Sequence, residues 1–207
     1  MIYPRTLISA LLVVVALECP AKAQPTITHA EEPSRRPMTF EDLYALGRVS
    51  DPQVSPDGTV ILYVVTWYDL EKNKANSDIY AVDIDGKNPR RLTDSPGRDE
   101  RPRWSPDGKT IAFISDRGGG QQVWLMNHDG SSPRQLTSLS TGAAGVEWSP
   151  TGKHVLFTSS VYPDCPSDEC NRLRDEERER SLCKARIIDA LPYRVWNSWR
   201  DGKDSHL

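Results

Sequence analysis

The chain has 207 residues, 27% of them charged, with 26 Lys and Arg against 29 Asp and Glu and a net charge of −3. That balance leaves no basic footprint for nucleic acid or for an anionic lipid surface. The one extended apolar run lies at the extreme amino terminus.

In chain order the first element reads as a secretory signal. Arg5 is the sole charge ahead of an eleven-residue apolar run, residues 7–17, too short to span a bilayer. Ala21, Lys22 and Ala23 supply a small-x-small cleavage pattern before Gln24. Cys19 invites a lipid-attachment reading, but Glu18 stands where such sites need a small residue. The expectation is a signal peptide over 1–23, a periplasmic or secreted destination, and no membrane association after cleavage. Losing Arg5, Lys22 and Glu18 leaves 24 basic against 28 acidic residues, net −4. Residues 24–37 are polar and proline-containing, a flexible leader.

A short helix is predicted in "MTFEDLYALG", with Thr39 as N-cap, Asp42 at the capping-box position and Gly47 as C′. The chain then repeats itself. "DPQVSPDGTVILYVV", "RPRWSPDGKTIAFIS" and "GVEWSPTGKHVLFTS" align on Ser55, Ser105 and Ser149, spaced by 50 and 44 residues. Proline and glycine mark a tight turn in each. Alternating positions follow: Ile61, Tyr63, Val65; Ile111, Phe113, Ser115; Val155, Phe157, Ser159. Third strands are expected in "SDIYAVDIDG" and "QQVWLMNHDG", and short fourth strands in "NPRRLTDS" and "SPRQLTSL". Strand patterning alone would equally suit a sandwich or an open meander. Near-identical wording at a period of about 40–50 residues favours propeller blades. The fold class expected is all-β: a β-propeller of four-stranded antiparallel blades, truncated to about two and a half blades, over residues 38–207. The blades fall at about 48–97, 98–140 and 141–207, the last interrupted by an insertion at about 161–204.

Within the insertion, residues 169–180 suit a charged, solvated helix, with Glu176 and Arg180 paired at i, i+4. Ile187, Leu191, Tyr193, Trp196 and Trp199 are expected to pack on the blade edge. "SHL" at residues 205–207 aligns with "SDI" at Ser77 and opens a third strand. Cys165, Cys170 and Cys183 remain after signal cleavage, an odd count that leaves one thiol over. Zinc is the competing reading, but His154 and His206 lie outside the cluster and a four-residue Cys spacing is a weak metal signal. A helix over 169–180 would hold Cys170 and Cys183 about 20 Å apart, so a Cys165–Cys170 bridge with Cys183 reduced is expected.

No nucleophile elbow occurs: "GSSPR" at Gly130 fails at its last position. "GKT" at Gly108 lacks the first glycine of a phosphate loop, because Arg103 stands there. "DIDG" at Asp83 lacks the other ligands of a calcium loop, and "RGGGQQ" at Arg117 reads as a mobile hairpin tip. The expectation is no catalytic, cofactor-binding or metal-binding residue and no cofactor. Asp175, Glu176 and Glu177 could hold the free amino terminus of a peptide, Glu176 and Glu177 above all. The plainer reading is a solvated helix face laced with Arg172, Arg174, Arg178 and Arg180.

"RVSDPQVSPDG", "RWSPDGKTIAFISDRGG" and "VYPDC…EC…KARIIDALPYRVWNSWRDGKDSHL" together resemble the exported bacterial prolyl oligopeptidase family, nearest its dipeptidyl-peptidase and acylaminoacyl-peptidase branch. The resemblance runs from the "TFEDL" helix onward. The "SPDG" repeats are unspecific, being shared with TolB-type periplasmic propellers; the insertion and its ending are more specific. The resemblance implies an N-terminal propeller paired with a C-terminal α/β-hydrolase domain. That domain carries a Ser-Asp-His triad acting on short peptides from the amino end, and the propeller limits substrates by size. No position here matches a catalytic residue of that family. The chain is thus expected to be a non-catalytic propeller part that gates peptide access to a hydrolase domain missing from it. The alternative is a stand-alone TolB-type propeller that binds proteins. Expressed alone, residues 24–207 are expected to associate or melt non-cooperatively, because blades bury one another's faces.

Overall fold

One tight turn, used three times, organises the strands. In the first, the Ser55 hydroxyl donates to the Asp57 carboxylate at 2.6 Å and accepts from the Val60 amide at 3.0 Å, while the Gly58 amide donates to the Ser55 carbonyl at 2.9 Å. Ser105, Asp107, Gly108 and Thr110 repeat that arrangement. Ser149 keeps it with Thr151 in place of the aspartate. Gly58, Gly108 and Gly152 have φ of +74, +69 and +70, where a side chain would be strained. The turns also nest. A Cβ on Gly108 would stand 3.8 Å from Pro56, and one on Gly152 3.6 Å from Pro106, so each glycine lies on the proline of the turn before it.

The computed structural model describes residues 36–183, 185, 188, 191, 194–196, 198–199 and 201–207. The segment read as a signal peptide, nearly all of the expected leader, Ile187 and Tyr193 lie outside the described residues. Helix α1 (Phe40–Ala45) precedes strands β1 (Arg48–Val54), β2 (Val60–Asp69), β3 (Lys74–Asp83) and β4 (Arg90–Arg91). These form one antiparallel sheet in the order β1-β2-β3-β4. The second sheet repeats it with β5 (Asp99–Trp104), β6 (Thr110–Ser115), β7 (Gln122–Asn127) and β8 (Arg134–Gln135). A third contains β9 (Ala144–Trp148) and β10 (Val155–Val161). Helix α2 (Asp168–Arg180) and a two-stranded hairpin, β11 (Arg194–Val195) with β12 (Ser198–Trp199), follow it. β13 (Asp204–His206) then returns to pair with β10. The register is that of a third blade strand. Ser205 stands opposite Ser160, eleven residues past the turn serine, as Ser77 stands opposite Thr66.

Both faces of the middle strand β6 are apolar, which the period-two reading understates. Ile111 and Phe113 of β6 pack with Leu62, Val64, Ile79 and Ala81 of the first blade. Ala112 and Ile114, the residues between them, pack toward Ala143 and Val146 of the third. A blade is covered on both sides, so no polar row is required. The indole of Trp104 donates to the Gln53 carbonyl at 3.3 Å and that of Trp148 to the Arg103 carbonyl at 3.1 Å. First strands of successive blades are tied together this way.

Three expectations need correction. Thr39 and Asp42 form the capping box, but Gly47 is not a left-handed cap: Leu46 closes α1 in extended conformation and Gly47 has no positive φ. Its value is contact, since a Cβ there would meet the Trp67 ring at 2.8 Å and Val65 at 2.9 Å. Leu191 and Trp196 do not pack on the blade edge; they are 79% and 95% exposed, Trp196 at the tip of the β11–β12 hairpin. Tyr162, 5% exposed, makes that junction instead. Arg117 is no part of a loose tip. Its guanidinium donates to buried Asp99 at 2.7 Å and lies over the rings of Phe113 and Trp124.

The aspartates divide by environment. Hydrogen bonds from Ser55 and Ser105, then from backbone amides, hold Asp57 and Asp107 below the ordinary 3.8. Burial pushes Asp78 above it, partly offset by Arg91 at 2.8 Å. The signs therefore oppose. The turn carboxylates contribute stability that is present above their unfolded value and lost as pH falls through their folded ones; the Asp78 contribution is present at low pH and lost as pH rises through its raised value. A carboxyl ¹³C titration should show Asp78 protonating first on acidification, with Asp57 and Asp107 last. Asp78 titrating together with the turn aspartates would contradict this.

Candidate functional site

Two groups of polar residues stand out, one on the insertion and one along the first strands. Helix α2 starts at Ser167, whose side chain accepts from the Cys170 amide. Asn171, 2% exposed, fixes the helix to the third blade by accepting the Tyr162 amide at 2.8 Å and donating to the Ser167 carbonyl. Asp168 accepts from the Ser140 amide at 2.9 Å, reaching the loop between the second and third blades. Asp175 accepts from the Tyr162 hydroxyl at 2.9 Å and from Lys203 at 2.7 Å. Arg174 pairs with Asp164 and lies 4.6 Å above the Tyr162 ring. Cys165 and Cys170 are joined by a disulfide, and Cys183 is an exposed free thiol.

The three insertion carboxylates share a helix but not a function. Asp175 is spent on Tyr162 and Lys203. Glu176 is clasped by Arg172 on one oxygen and Arg180 on the other, the latter at 2.7 Å. Glu177 is exposed and opens onto a cavity of about 480 Å³ beside Tyr162, Asp164 and Arg174. Asp175 and Glu176 line a neighbouring cavity of about 640 Å³ with Ser140, Arg178 and Glu179. The Arg172 hydrogen bond holds Glu169 below the usual carboxylate range. No group of three or more potential metal ligands occurs among the described residues.

The first strands hold residues that motif reading did not single out. Arg103 donates to Asp51 of the first blade at 2.9 and 3.1 Å and to Glu147 of the third at 2.9 Å. Burial works against its charge, but Glu147 and Asp51 outweigh it and hold Arg103 above the ordinary guanidinium value. One side chain thus bridges three blades. Each first strand also bulges four residues before its turn serine, at Asp51, Arg101 and Gly145, with φ of +49, +54 and +57. For the two non-glycines that conformation costs on the order of 1–2 kcal/mol. A cavity of about 370 Å³ opens there, lined by Ser50, Asp51, Thr66, Glu100, Arg101 and Arg103. The signal was available: aligned on the turn serines, the positions two before read Gln53, Arg103 and Glu147, and those six before read Val49, Asp99 and Ala143. A charge interrupting an aligned apolar column, as Asp99 does, or facing an opposite charge in its own column, as Arg103 faces Glu147, marks a partner elsewhere.

Residues 73–168 match the family described as the Tricorn protease N-terminal beta propeller domain. Dipeptidyl-peptidase 5 of Porphyromonas gingivalis is 38% identical over 86 residues, 42% of this chain and 13% of the relative. Dipeptidyl-peptidase 5 of Porphyromonas endodontalis is 30% identical over 162 residues, 78% of this chain and 23% of the relative. The acylaminoacyl peptidase of Pyrococcus horikoshii superposes with a TM-score of 0.58 at 21% identity, covering 79% of this chain and 23% of that one, and shares the fold. The chain spans less than a quarter of the length of these relatives. Stacked four-stranded sheets with repeated turns and a disulfide-tied helical insertion are therefore a β-propeller portion similar to that of peptidases of the prolyl oligopeptidase type.

Proposed function

We propose that these blades are the propeller part of an exported exopeptidase of dipeptidyl-peptidase or acylaminoacyl-peptidase type, gating peptide access to an α/β-hydrolase domain. The observation that carries this reading is the 162-residue similarity to dipeptidyl-peptidase 5, which covers 78% of the chain and is longer than the stretch the unspecific turn repeats occupy. The insertion supports it physically. Asn171, Asp168 and the disulfide hold α2 against the third blade, so that its acidic face is presented on a rigid support. An incoming peptide ammonium would meet exposed Glu177 directly, whereas Glu176 would first have to leave Arg172 and Arg180.

Chemistry on the peptide bond needs a nucleophile and base that no residue here supplies. The 207-residue chain should therefore release no nitroaniline from dipeptide or acyl-amino-acid nitroanilides. Turnover that survives repurification would end the non-catalytic assignment. The coding DNA beyond Leu207 tests the gating role: a G-x-S-x-G elbow within the next several hundred codons supports it. Further blades that end without such an elbow favour the stand-alone, protein-binding propeller instead, and a stop codon directly after Leu207 would mark a natural truncated product.

A further inference from the structure

Arg101 is a non-glycine residue at φ +54 on the β5 bulge, exposed, and its guanidinium makes no hydrogen bond or ion pair with any described residue. The third blade places Gly145 at the same position with φ +57, so the bulge itself needs no side chain. The first blade places Asp51 there, and Asp51 is held by Arg103 at 2.9 Å. Arg101 thus keeps an unfavourable backbone conformation without the ion pair that would account for it. Its Nη1 lies 4.0 Å from where a Cβ on Gly145 would stand, so the guanidinium runs along the inner strands. The cavity of about 370 Å³ beside it also presents the hydroxyl of Ser50, while that of Thr66 is hydrogen-bonded to Ser77 at 3.0 Å.

Charge decides what fits. Arg103 is already shared by Asp51 and Glu147, and Glu100 accepts the Ser77 hydroxyl at 3.1 Å while keeping its negative charge. A dianion such as phosphate would be repelled by Glu100. A planar monoanion with two oxygens matches the free fork of Arg101 and brings half the negative charge of a dianion to the side of Glu100. We propose that the cavity between β1 and β5 is a subsite for one carboxylate, taken by Arg101. The carboxylate belongs to a peptide, either its free carboxyl terminus or an acidic side chain; naming a peptide as the source rests on the peptidase reading above, whereas the carboxylate site does not.

The test uses the full chain, ¹⁵N-labelled, titrated with sodium acetate, sodium phosphate, tri-alanine, tri-alanine amide and N-acetyl-Ala-Glu-Ala amide. The Arg101 side-chain signal and the Ser50 and Arg103 amides are followed. Acetate and at least one carboxylate-bearing peptide should shift these signals saturably, and tri-alanine amide should not. Arg101→Gly should weaken acetate binding at least tenfold and leave the melting temperature unchanged or raised, because glycine already holds this bulge in the third blade. Arg101→Lys should retain part of the affinity. Absence of saturable acetate binding, acetate binding unchanged in Arg101→Gly, tighter binding of phosphate than acetate, or a fall in melting temperature in Arg101→Gly would each overturn the site. A response to tri-alanine assigns a free carboxyl terminus, and one to the glutamate peptide alone assigns an acidic side chain. Acetate binding without either peptide upholds the carboxylate site and counts against the peptidase reading.

Discussion

Arg117→Met should destabilise the protein by about 3–5 kcal/mol, the range for removing one partner of a buried ion pair. Asp99 is fully buried, and its Oδ2 accepts from Arg117 at 2.7 Å and from the Ser95 hydroxyl at 3.0 Å. Its Oδ1 has no hydrogen-bond partner among the described residues, so the carboxylate already has little to spare. Without the guanidinium the charge is left in an apolar setting between blades, and the cation–π contacts to Phe113 and Trp124 go with it. The second substitution makes the test specific. Blade three places Ala143, 2% exposed, where blade two has Asp99, so Asp99→Ala with Arg117→Met should recover at least half of the loss. Native-state hydrogen exchange of the buried β6 amides beside Arg117 would measure both. A single-variant loss below about 1 kcal/mol, the level of an exposed pair, would show that the pair is effectively solvated.

Phe113→Ala should cost about 3–5 kcal/mol, as large-to-small changes at buried aromatic sites do. Phe113 is fully buried where the first and second blades meet, among Leu62, Ile79 and Met126. Neighbouring backbone is held in hydrogen-bonded strands on both sides, so the cavity cannot readily collapse. Phe157 holds the same motif position in the third blade but is only partly buried. Phe157→Ala should lose less by at least about 1 kcal/mol, in proportion to apolar area removed from water. Equal losses would mean that the motif, rather than the interface, sets the energetics.

Much of the fold was legible in one dimension because its causes are local. A serine, an aspartate or threonine and a glycine close the turn within six residues, so Ser55, Ser105 and Ser149 each mark a strand pair. Thr39 and Asp42 cap α1 by the same short-range logic, and charge alternation placed α2 within one residue of its observed start. The fixed repeat then implied blades, because identical units have to stack on each other. The register of β13 was equally readable, since it depends only on counting from the turn serine.

What sequence could not decide lies between blades, where residues some fifty positions apart meet. Arg103 looked like a misplaced residue in a failed phosphate loop, yet it links Asp51 to Glu147 across three sheets. Arg117 sits beside three glycines that suggest mobility, but burial against Asp99 and two aromatic rings immobilises it. Glu176 and Glu177 are adjacent in the chain, and the helix turns one into an arginine clasp and the other toward open space. Gly47 and Trp196 invert their expected roles for the same reason: contact and exposure depend on what the rest of the chain places nearby. Turn and strand were determined by the sequence through hydrogen bonds a few residues long. Which charges are paired, buried or left open was decided by the stacking of blades, because electrostatic and packing energies depend on distance in space rather than along the chain.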